Sequence, residues 1–281
     1  MIKIIECPRD AMQGIHEFIP TATKIEYINQ LLEVGFDTID FGSFVSPKAI
    51  PQLRDTAEVL AGLTTDTKSK LLAIVANKRG AVDALNFDRI DYLGYPFSIS
   101  ETFQQRNTNA SIAESLTRVE EIQNLAIQKN KKLVIYISMA FGNPYGDEWD
   151  LEVAANWSTK LHSELGIEII ALSDTIGVSN PENIKELFEG LIPALPNVEF
   201  GAHLHSTPEK VWEKVDAAYK AGCKRFDGAI NGFGGCPMAS DDLTGNMVTE
   251  SMKMYFDKNN IGTNIDNIAF EKSLAKAQLV F

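Results

Sequence analysis

The chain has 281 residues, of which 38 are acidic and 26 are basic, and its formal net charge at pH 7 is −12. Such an acidic balance disfavours a nucleic-acid partner, because nucleic-acid-binding proteins need a basic surface. Hydrophobic residues make up 44% of the chain and charged residues 23%, which is typical of a globular protein with a sizeable core.

The N-terminus, MIKIIECPRD, contains neither a signal peptide nor an apolar run long enough to span a membrane. The three cysteines, Cys7, Cys223 and Cys236, form no C-x-x-C motif and predict no disulfide framework. We therefore expect a soluble protein of the reducing cytoplasm.

In chain order, short apolar segments alternate with longer amphipathic ones. The apolar segments predict eight strands, over residues 2–6, 37–41, 71–75, 90–95, 132–138, 167–173, 199–205 and 225–230. The amphipathic segments predict helices over residues 23–34, 50–62, 111–130, 151–164, 180–194 and 208–221. Thr23, Ser111 and Asn180 stand near the starts of their helices, as capping residues do.

Eight successive strand–helix units predict parallel strands, and closing those strands gives an α/β fold, the (β/α)8 TIM barrel. An open, doubly wound sheet is the alternative, but it usually has a glycine-rich turn after its first strand, and CPRDAMQG is not such a turn. No linker-like segment divides the chain. We predict one barrel domain over residues 1–281, in which residues from about 257 onward form an additional C-terminal helix or two on the outside.

Polar side chains concentrate where the predicted strands end, which is where TIM barrels carry their chemistry. His203 and His205 share one face of the seventh predicted strand, because alternate residues of a strand point the same way. Two neutral imidazoles side by side favour a metal site, although hydrogen bonding at a strand end explains the same spacing. Asp10 follows the first strand, Asp40 ends the second and Asp174 follows the sixth.

Five segments are similar, in the same order, to motifs of one enzyme family. They are IIECPRDAMQG, SFVSPKAIPQLRDTAEVL, LSDTIGVSNP, AHLHST and NGFGGCPMASDDLTGNMVTE. By these motifs the sequence resembles the 3-hydroxy-3-methylglutaryl-CoA lyase family, whose members are metal-dependent enzymes with a DRE-type motif on a TIM barrel. The segments SFVSPK and GGCP are similar to the acyl-CoA lyase branch in particular.

The resemblance implies a divalent cation, and its expected ligands are Asp10, His203, His205 and Asn246. A carboxylate, two imidazoles and an amide oxygen suit Mg²⁺ or Mn²⁺, with Co²⁺ or Zn²⁺ as alternatives. The implied reaction is retro-Claisen cleavage of 3-hydroxy-3-methylglutaryl-CoA, or of a close 3-hydroxyacyl-CoA, to acetyl-CoA and acetoacetate.

Further residues have implied roles in this reaction. Arg9, beside the first metal ligand, is expected to stabilise the developing enolate oxygen, and Cys236 in GFGGCP matches the family's catalytic cysteine. The other catalytic candidates are Asp10, Asp40 and Glu250, and the substrate-binding candidates are Gln13, Asp174 and Lys48. An ordinary salt bridge of Arg9 with Asp40, Asp174 or Glu250 is equally compatible with the sequence.

The implied partners are an acyl-CoA substrate and a second copy of the chain in a homodimer, with no nucleic acid and no membrane. Leucine degradation in the cytoplasm is the implied setting.

The chain also departs from the family pattern. Asp40 replaces the usual glutamate, Ser206 replaces the aspartate after the second metal histidine, and Cys7 and Ala11 replace two glycines. None of these changes removes a predicted ligand, but together they leave the identity of the acyl group open.

Three other functions compete with this interpretation. A Schiff-base aldolase would need a lysine at a strand end, and the sixth predicted strand ends in ALSDT, without one. A Claisen-condensing acyl-CoA synthase of the same superfamily would share the metal site, but such enzymes commonly carry a further C-terminal domain, for which fewer than 30 residues remain. A non-catalytic metal-binding barrel would have no need of Arg9 and Cys236.

Overall fold

The computed structural model describes residues 1–235 and 244–281. Its parallel strands pair in chain order, and the last strand pairs with the first to close the barrel. The strands are β1 (Lys3–Glu6), β2 (Thr38–Ser43), β3 (Lys70–Ile74), β4 (Tyr92–Ser98), β5 (Lys132–Ser138), β6 (Ile169–Ser173), β7 (Glu199–His203) and β8 (Arg225–Gly228). The predicted TIM barrel is confirmed.

Helices follow the strands around the outside of this barrel. They are α1 (Pro8–Gln13), α2 (Thr21–Val34), α3 (Thr56–Gly62), α4 (Lys78–Ala84), α5 (Glu101–Thr108), α6 (Ile112–Gln128), α7 (Leu151–Leu165), α8 (Pro181–Ala194), α9 (Val211–Lys220), α10 (Thr249–Lys258) and α11 (Asn267–Ala277). Short 3₁₀ turns cover Pro51–Leu53, Pro208–Lys210 and Ile230–Gly232. Within the described residues, none of the helices is long and apolar enough to cross a membrane.

Two of the three predicted helix caps are present. Ser111 and Asn180 each form a capping box with the residue three positions later, which satisfies backbone N–H groups that have no partner within the helix. The prediction for Thr23 is wrong, because α2 begins two residues earlier and its N-cap position is Pro20.

The strands alternate between an outer apolar face and a mixed interior. Outward side chains such as Ile39, Phe41 and Leu93 join the large core between the barrel and its helices. The interior contains an apolar cluster, made of Leu72, Ile74, Tyr92, Val134, Tyr136, Ile169 and Ala171. Charged side chains, Asp40, Arg225 and Asp227, are also buried on strands β2 and β8. The polar side of the interior therefore lies next to β1, which precedes Arg9 and Asp10.

The C-terminal segment packs against the outside of the barrel, as predicted. Lys276 of α11 forms an ion pair with Glu26 of α2 at 2.8 Å, and the ring of Phe281 stacks on that of Phe233 at 4.7 Å between centroids. Gly35 ends α2 with φ = +88°, and a Cβ at this position would lie 2.6 Å from the carbonyl oxygen of Asn264. Only glycine suits this close contact between α2 and the C-terminal segment.

Candidate metal centre and active site

The two histidines of the H-x-H motif lie at the C-terminal mouth of the barrel. His203 is the last residue of β7, whereas His205 lies beyond the strand and forms an isolated antiparallel bridge with Asn246. The imidazole centroids are 5.6 Å apart, so the rings are neighbours, as alternate residues of a strand predict. One potential ligand atom from each of Asp10, His203 and His205 lies within 4.8 Å of the others. The structure thus brings these three predicted metal ligands together as a compact donor cluster, and the fourth, Asn246, is hydrogen-bonded to Asp10.

Asp10 is the centre of the hydrogen bonds in this cluster. Its Oδ1 accepts bonds from Arg9 Nη1 at 2.7 Å and Gln13 Nε2 at 2.8 Å, and its Oδ2 accepts one from Asn246 Nδ2 at 2.7 Å. Burial works against ionisation, but the positive charge of Arg9 and the hydrogen bond from Asn246 keep the pKa of Asp10 below its usual value. Asp10 is therefore a buried carboxylate that carries its charge into the cluster.

Each histidine is oriented through its Nδ1 atom. Nδ1 of His203 is 3.1 Å from Asp227 Oδ2, and Nδ1 of His205 is 3.1 Å from the carbonyl oxygen of Thr175. Nε2 of His205 is buried and has no hydrogen-bond partner among the residues that the structure describes. Burial and the proximity of His203 lower the pKa of His205, so its imidazole is neutral.

This arrangement fits a divalent cation. A buried polar atom without a partner is costly, and a neutral imidazole nitrogen beside a carboxylate is the usual donor environment of a metal ion. The mixed set of oxygen and nitrogen donors agrees with the cations predicted from the sequence.

Arg9 lies beside this donor cluster and lines the pocket above it. Its Nη1 donates to Asp10 Oδ1 and, at 3.0 Å, to Gln13 Oε1. Its Nε donates to Asp40 Oδ2 at 2.9 Å, and its Nη2 also donates to that oxygen. Burial raises the pKa of Asp40 to about 6, and the adjacent guanidinium opposes the shift. Of the salt-bridge partners proposed for Arg9, Asp40 is the one observed.

Asn246 is held between Asp10 and the root of the glycine-rich loop. Besides its bond to Asp10, Asn246 Nδ2 donates to the carbonyl oxygen of Phe233 at 2.8 Å. Gly234 follows with φ = +92°, and a Cβ there would lie 2.7 Å from Asn246 Nδ2 and 2.8 Å from the backbone oxygen of Asp10. The loop backbone can approach the cluster this closely because residue 234 has no side chain.

The surroundings of Asp174 do not match the predicted contact with substrate. Its carboxylate accepts bonds from the backbone N–H groups of Val178 and Ser179, from the Ser179 hydroxyl and from Lys214 Nζ at 3.0 Å. Lys214 Nζ also donates to the backbone oxygen of His205 at 2.7 Å. Asp174 is almost fully buried and is not among the described residues that line the pocket. It therefore supports the turn after β6 and, through Lys214, the position of His205.

The other candidates occupy different places. Gln13 lines the pocket, as a substrate-binding residue should. Lys48 is exposed and lies outside the described lining of the pocket, so its predicted contact with substrate stays a prediction. Glu250 accepts hydrogen bonds from the backbone N–H of Asn231 at 3.0 and 3.1 Å, so it holds the start of the loop rather than the pocket wall. Cys236 lies outside the described residues.

Sequence reasoning does not single out Asp227, Thr175 or Lys214, although all three support the histidines. One feature of the sequence could have indicated Asp227: the segment RFDG contains two charged residues within a short strand that is predicted to be buried. Charged residues are rarely fully buried without a partner, so such a strand indicates charged groups paired inside the barrel.

A closed eight-stranded barrel with a carboxylate–imidazole cluster at its C-terminal mouth places the chain among the TIM-barrel enzymes. A model of the HMGL-like family matches residues 2–276, and the chain belongs to that family. The resemblance seen in the motifs is therefore confirmed.

Individual relatives agree with this assignment. Hydroxymethylglutaryl-CoA lyase YngG of Bacillus subtilis is 34% identical over 97% of this chain and 89% of its own length. A 3-hydroxy-3-isohexenylglutaryl-CoA/hydroxymethylglutaryl-CoA lyase of Pseudomonas aeruginosa is 32% identical over 94% of this chain and 88% of its own length. The structure of an HMG-CoA lyase from Acinetobacter baumannii, in complex with coenzyme A and 3-methylmalate, is similar with a TM-score of 0.91 and 32% identity; the match covers 100% of this chain and 91% of that one.

Proposed function

We propose that this protein is a metal-dependent carbon–carbon lyase that cleaves 3-hydroxy-3-methylglutaryl-CoA, or a close 3-hydroxyacyl-CoA, to acetyl-CoA and acetoacetate. The observation that carries the proposal is the buried cluster of Asp10, His203 and His205 with the guanidinium of Arg9 bound beside it. Membership of the HMGL-like family supports the same reaction.

The cation would be held by Asp10, His203, His205 and Asn246, with Mg²⁺ or Mn²⁺ preferred and Co²⁺ or Zn²⁺ as alternatives. When bound, it would supply Lewis-acid polarisation of substrate oxygens, which makes a tertiary hydroxyl easier to deprotonate. The protein contributes the buried, ionised carboxylate of Asp10 and the neutral imidazole of His205, and both groups are already in the protonation state that a metal ligand needs.

The chemistry requires one proton to leave and one to arrive. A base takes the proton of the tertiary hydroxyl, the bond between C2 and C3 breaks, and C3 becomes the ketone carbon of acetoacetate. The bonding electrons leave on C2 as the enolate of the acetyl thioester. Arg9 lines the pocket with a guanidinium already fixed by Asp10, Gln13 and Asp40, so it can stabilise the enolate oxygen without reorganising.

The thiol of Cys236, assigned from the family motif GFGGCP, delivers a proton to C2 and so yields acetyl-CoA. Its thiolate then regains a proton from solvent. A Cys236→Ser variant keeps the shape but carries a far weaker acid. We expect turnover to fall by roughly 10²–10⁴-fold, the usual range for a general acid, while cation affinity and melting temperature stay unchanged. A variant that melts early but turns over normally would exclude Cys236 from the reaction.

The pocket also favours a substrate with an alkyl group at C3. The lining includes apolar side chains, such as Val45, Ile50, Ile74 and Phe103, as well as the polar cluster of Asp10 and the histidines. A methyl group on C3 suits the apolar side chains of this lining, and the hydroxyl on the same carbon suits the polar cluster.

The decisive experiment is incubation of the purified protein, with Mg²⁺ or Mn²⁺, with a panel of 3-hydroxyacyl-CoAs that differ in the C3 substituent. We expect acetyl-CoA and acetoacetate from 3-hydroxy-3-methylglutaryl-CoA, identified by mass spectrometry, and no products in the presence of a chelator. Condensation of acetyl-CoA with a 2-oxo acid, without cleavage of any panel member, would instead identify a synthase.

The proposal extends to the setting of the enzyme, which is a homodimer acting in leucine degradation in the cytoplasm. Sedimentation of the purified chain tests its oligomeric state, and fractionation of cells tests its location.

A further inference from the structure

Asp227 is a buried carboxylate inside the barrel for which the reaction above provides no role. It lies on β8 in register with Ile5 of β1, and it is only 2% exposed. Its Oδ2 lies 3.1 Å from Nδ1 of His203, and its Oδ1 has no hydrogen-bond partner among the described residues. Among the described residues, the side-chain hydrogen-bond partner of Asp227 is therefore His203, a member of the donor cluster.

The two histidines differ in the group that holds them. A backbone carbonyl holds His205, whereas the side-chain carboxylate of Asp227 holds His203. An ionised carboxylate accepts hydrogen bonds but cannot donate one, so the Nδ1 atom facing it must carry the proton when the imidazole is neutral. The lone pair of a neutral His203 is then on Nε2, where it can bind a cation.

The surroundings keep this carboxylate and the imidazole in place. The ring of Tyr136 packs edge-on against that of His203, with centroids 5.2 Å apart. Arg225, two residues before Asp227, is buried inside the barrel; burial opposes its charge, but Asp227 raises its pKa. Gly201 leaves room for this side chain, because a Cβ there would lie 3.0 Å from Arg225 Cδ. Nη1 of Arg225 forms an ion pair with Glu199 Oε1 at 3.6 Å, and none of its nitrogens has a hydrogen-bond partner among the described residues, so Arg225 contributes positive charge near Asp227 without a direct bond to it.

We propose that Asp227 is a positioning residue that fixes His203 in the Nδ1–H tautomer and so directs Nε2 toward the cation. This inference rests on the metal site of the proposed function, but not on the reaction catalysed there. Outer-sphere carboxylates of this type commonly contribute about 10–100-fold to metal affinity.

The tautomer is measurable in the unaltered protein. The chain has only four histidines, so ¹⁵N-histidine labelling and two-dimensional NMR can resolve each imidazole. We expect the metal-free protein, at about pH 9 and therefore well above the ordinary histidine pKa, to show His203 protonated on Nδ1. A His203 protonated on Nε2 would overturn the inference without any variant being made.

The matching variant is Asp227→Asn, which keeps the shape, removes the charge and allows the amide to donate to Nδ1. We expect Mn²⁺ affinity, measured by calorimetry, to fall by roughly 10–100-fold, with changed NMR signals for His203 and unchanged signals for His16 and His162. Cys7→Ala is the local packing control, because the thiol of Cys7 lies within 4.8 Å of atoms of the same pair, and burial raises its pKa well above the ordinary value, so it carries no charge. Asp55→Asn is the remote control, because Asp55 is a buried carboxylate in an ion pair with Lys24.

Both control variants should keep the wild-type affinity for Mn²⁺. Unchanged affinity in a folded Asp227→Asn protein would refute the positioning role, even if the lyase activity is confirmed. Conversely, a loss of affinity confined to Asp227→Asn, in a protein that cleaves no acyl-CoA, would support the positioning role and refute the proposed reaction.

Discussion

Glu6 offers a quantitative test of the packing around the site. It is the last residue of β1 and is fully buried, with Oε1 accepting a hydrogen bond from Ile230 N–H at 2.8 Å and Oε2 2.7 Å from Thr249 Oγ1. Burial raises the pKa of this carboxyl from its ordinary value of 4.5 to about 8, and the nearby Glu250 acts in the same direction. At neutral pH the folded protein therefore contains a protonated glutamic acid.

The sign of the effect on stability follows from proton binding. Between pH 4.5 and pH 8 the folded state retains a proton on Glu6 that the unfolded state releases. The stabilising contribution of protonated Glu6 is therefore complete below pH 4.5 and is lost as pH rises through 8. The loss amounts to about 1.4 kcal/mol per pH unit, or about 5 kcal/mol over the whole range. Glu6→Gln mimics the protonated acid at every pH, because its amide can donate to Thr249 and its oxygen can accept from Ile230.

We expect the free energy of unfolding of Glu6→Gln to exceed that of the wild type by an amount that grows by about 3 kcal/mol between pH 5 and pH 7. Urea unfolding followed by circular dichroism, with a chelator present throughout, measures this difference. Glu120→Gln, at an exposed position on α6, is the control and should show no such growth. A Glu6→Gln difference that stays constant between the two pH values would show that the carboxyl is ionised in the folded state, contrary to this argument.

The remaining predictions concern the site itself. Asp10→Ala and His203→Ala should each abolish both cation binding and turnover, and calorimetry that finds wild-type affinity in either variant would disprove the metal assignment. Arg9→Met should lower kcat by roughly 10²–10³-fold, and a variant with wild-type kcat would exclude the guanidinium from stabilising the enolate. Gly234→Ala places a Cβ 2.7 Å from an amide of the cluster at φ = +92° and should cost on the order of 1–3 kcal/mol with weaker cation binding. Gly262→Ala, whose Cβ would meet nothing within 4 Å, should change neither property.

The barrel was predictable because its strands are continuous apolar segments separated by long amphipathic helices. Only a few folds are compatible with that alternation. The short helices α1, α4 and α5 lie outside the predicted ranges, because six to eight residues hold too few apolar positions to show a helical period. Several observed strand ends differ from the predicted ones by one to three residues. For example, β7 ends at His203 rather than at residue 205. His205 nevertheless lies beside His203, because a bridge to Asn246 continues the extended backbone.

The donor residues were predictable from motifs, whereas their supporting partners were not. Asp227 is 24 positions from His203, and Lys214 is 40 positions from Asp174, so each pair depends on which strands and helices the closed barrel makes neighbours. In addition, the sequence does not distinguish a strand-end carboxylate that faces a substrate from one that faces a lysine. The roles predicted for Asp174 and Lys48 stay predictions, because only the fold decides which polar side chains reach the pocket, and neither side chain is among the described residues that line it.

The hydrogen bond between Asp10 and Asn246 joins residues 236 positions apart in the chain. Asp10 follows the first strand and Asn246 precedes the helix after the last, so the four proposed ligands assemble only when the circle of strands is complete. During synthesis on the ribosome, Asp10 is therefore made long before the other three proposed ligands. A cation bound there would link the residue that follows β1 to a residue that follows β8. Its binding energy would therefore oppose any separation of these two strands.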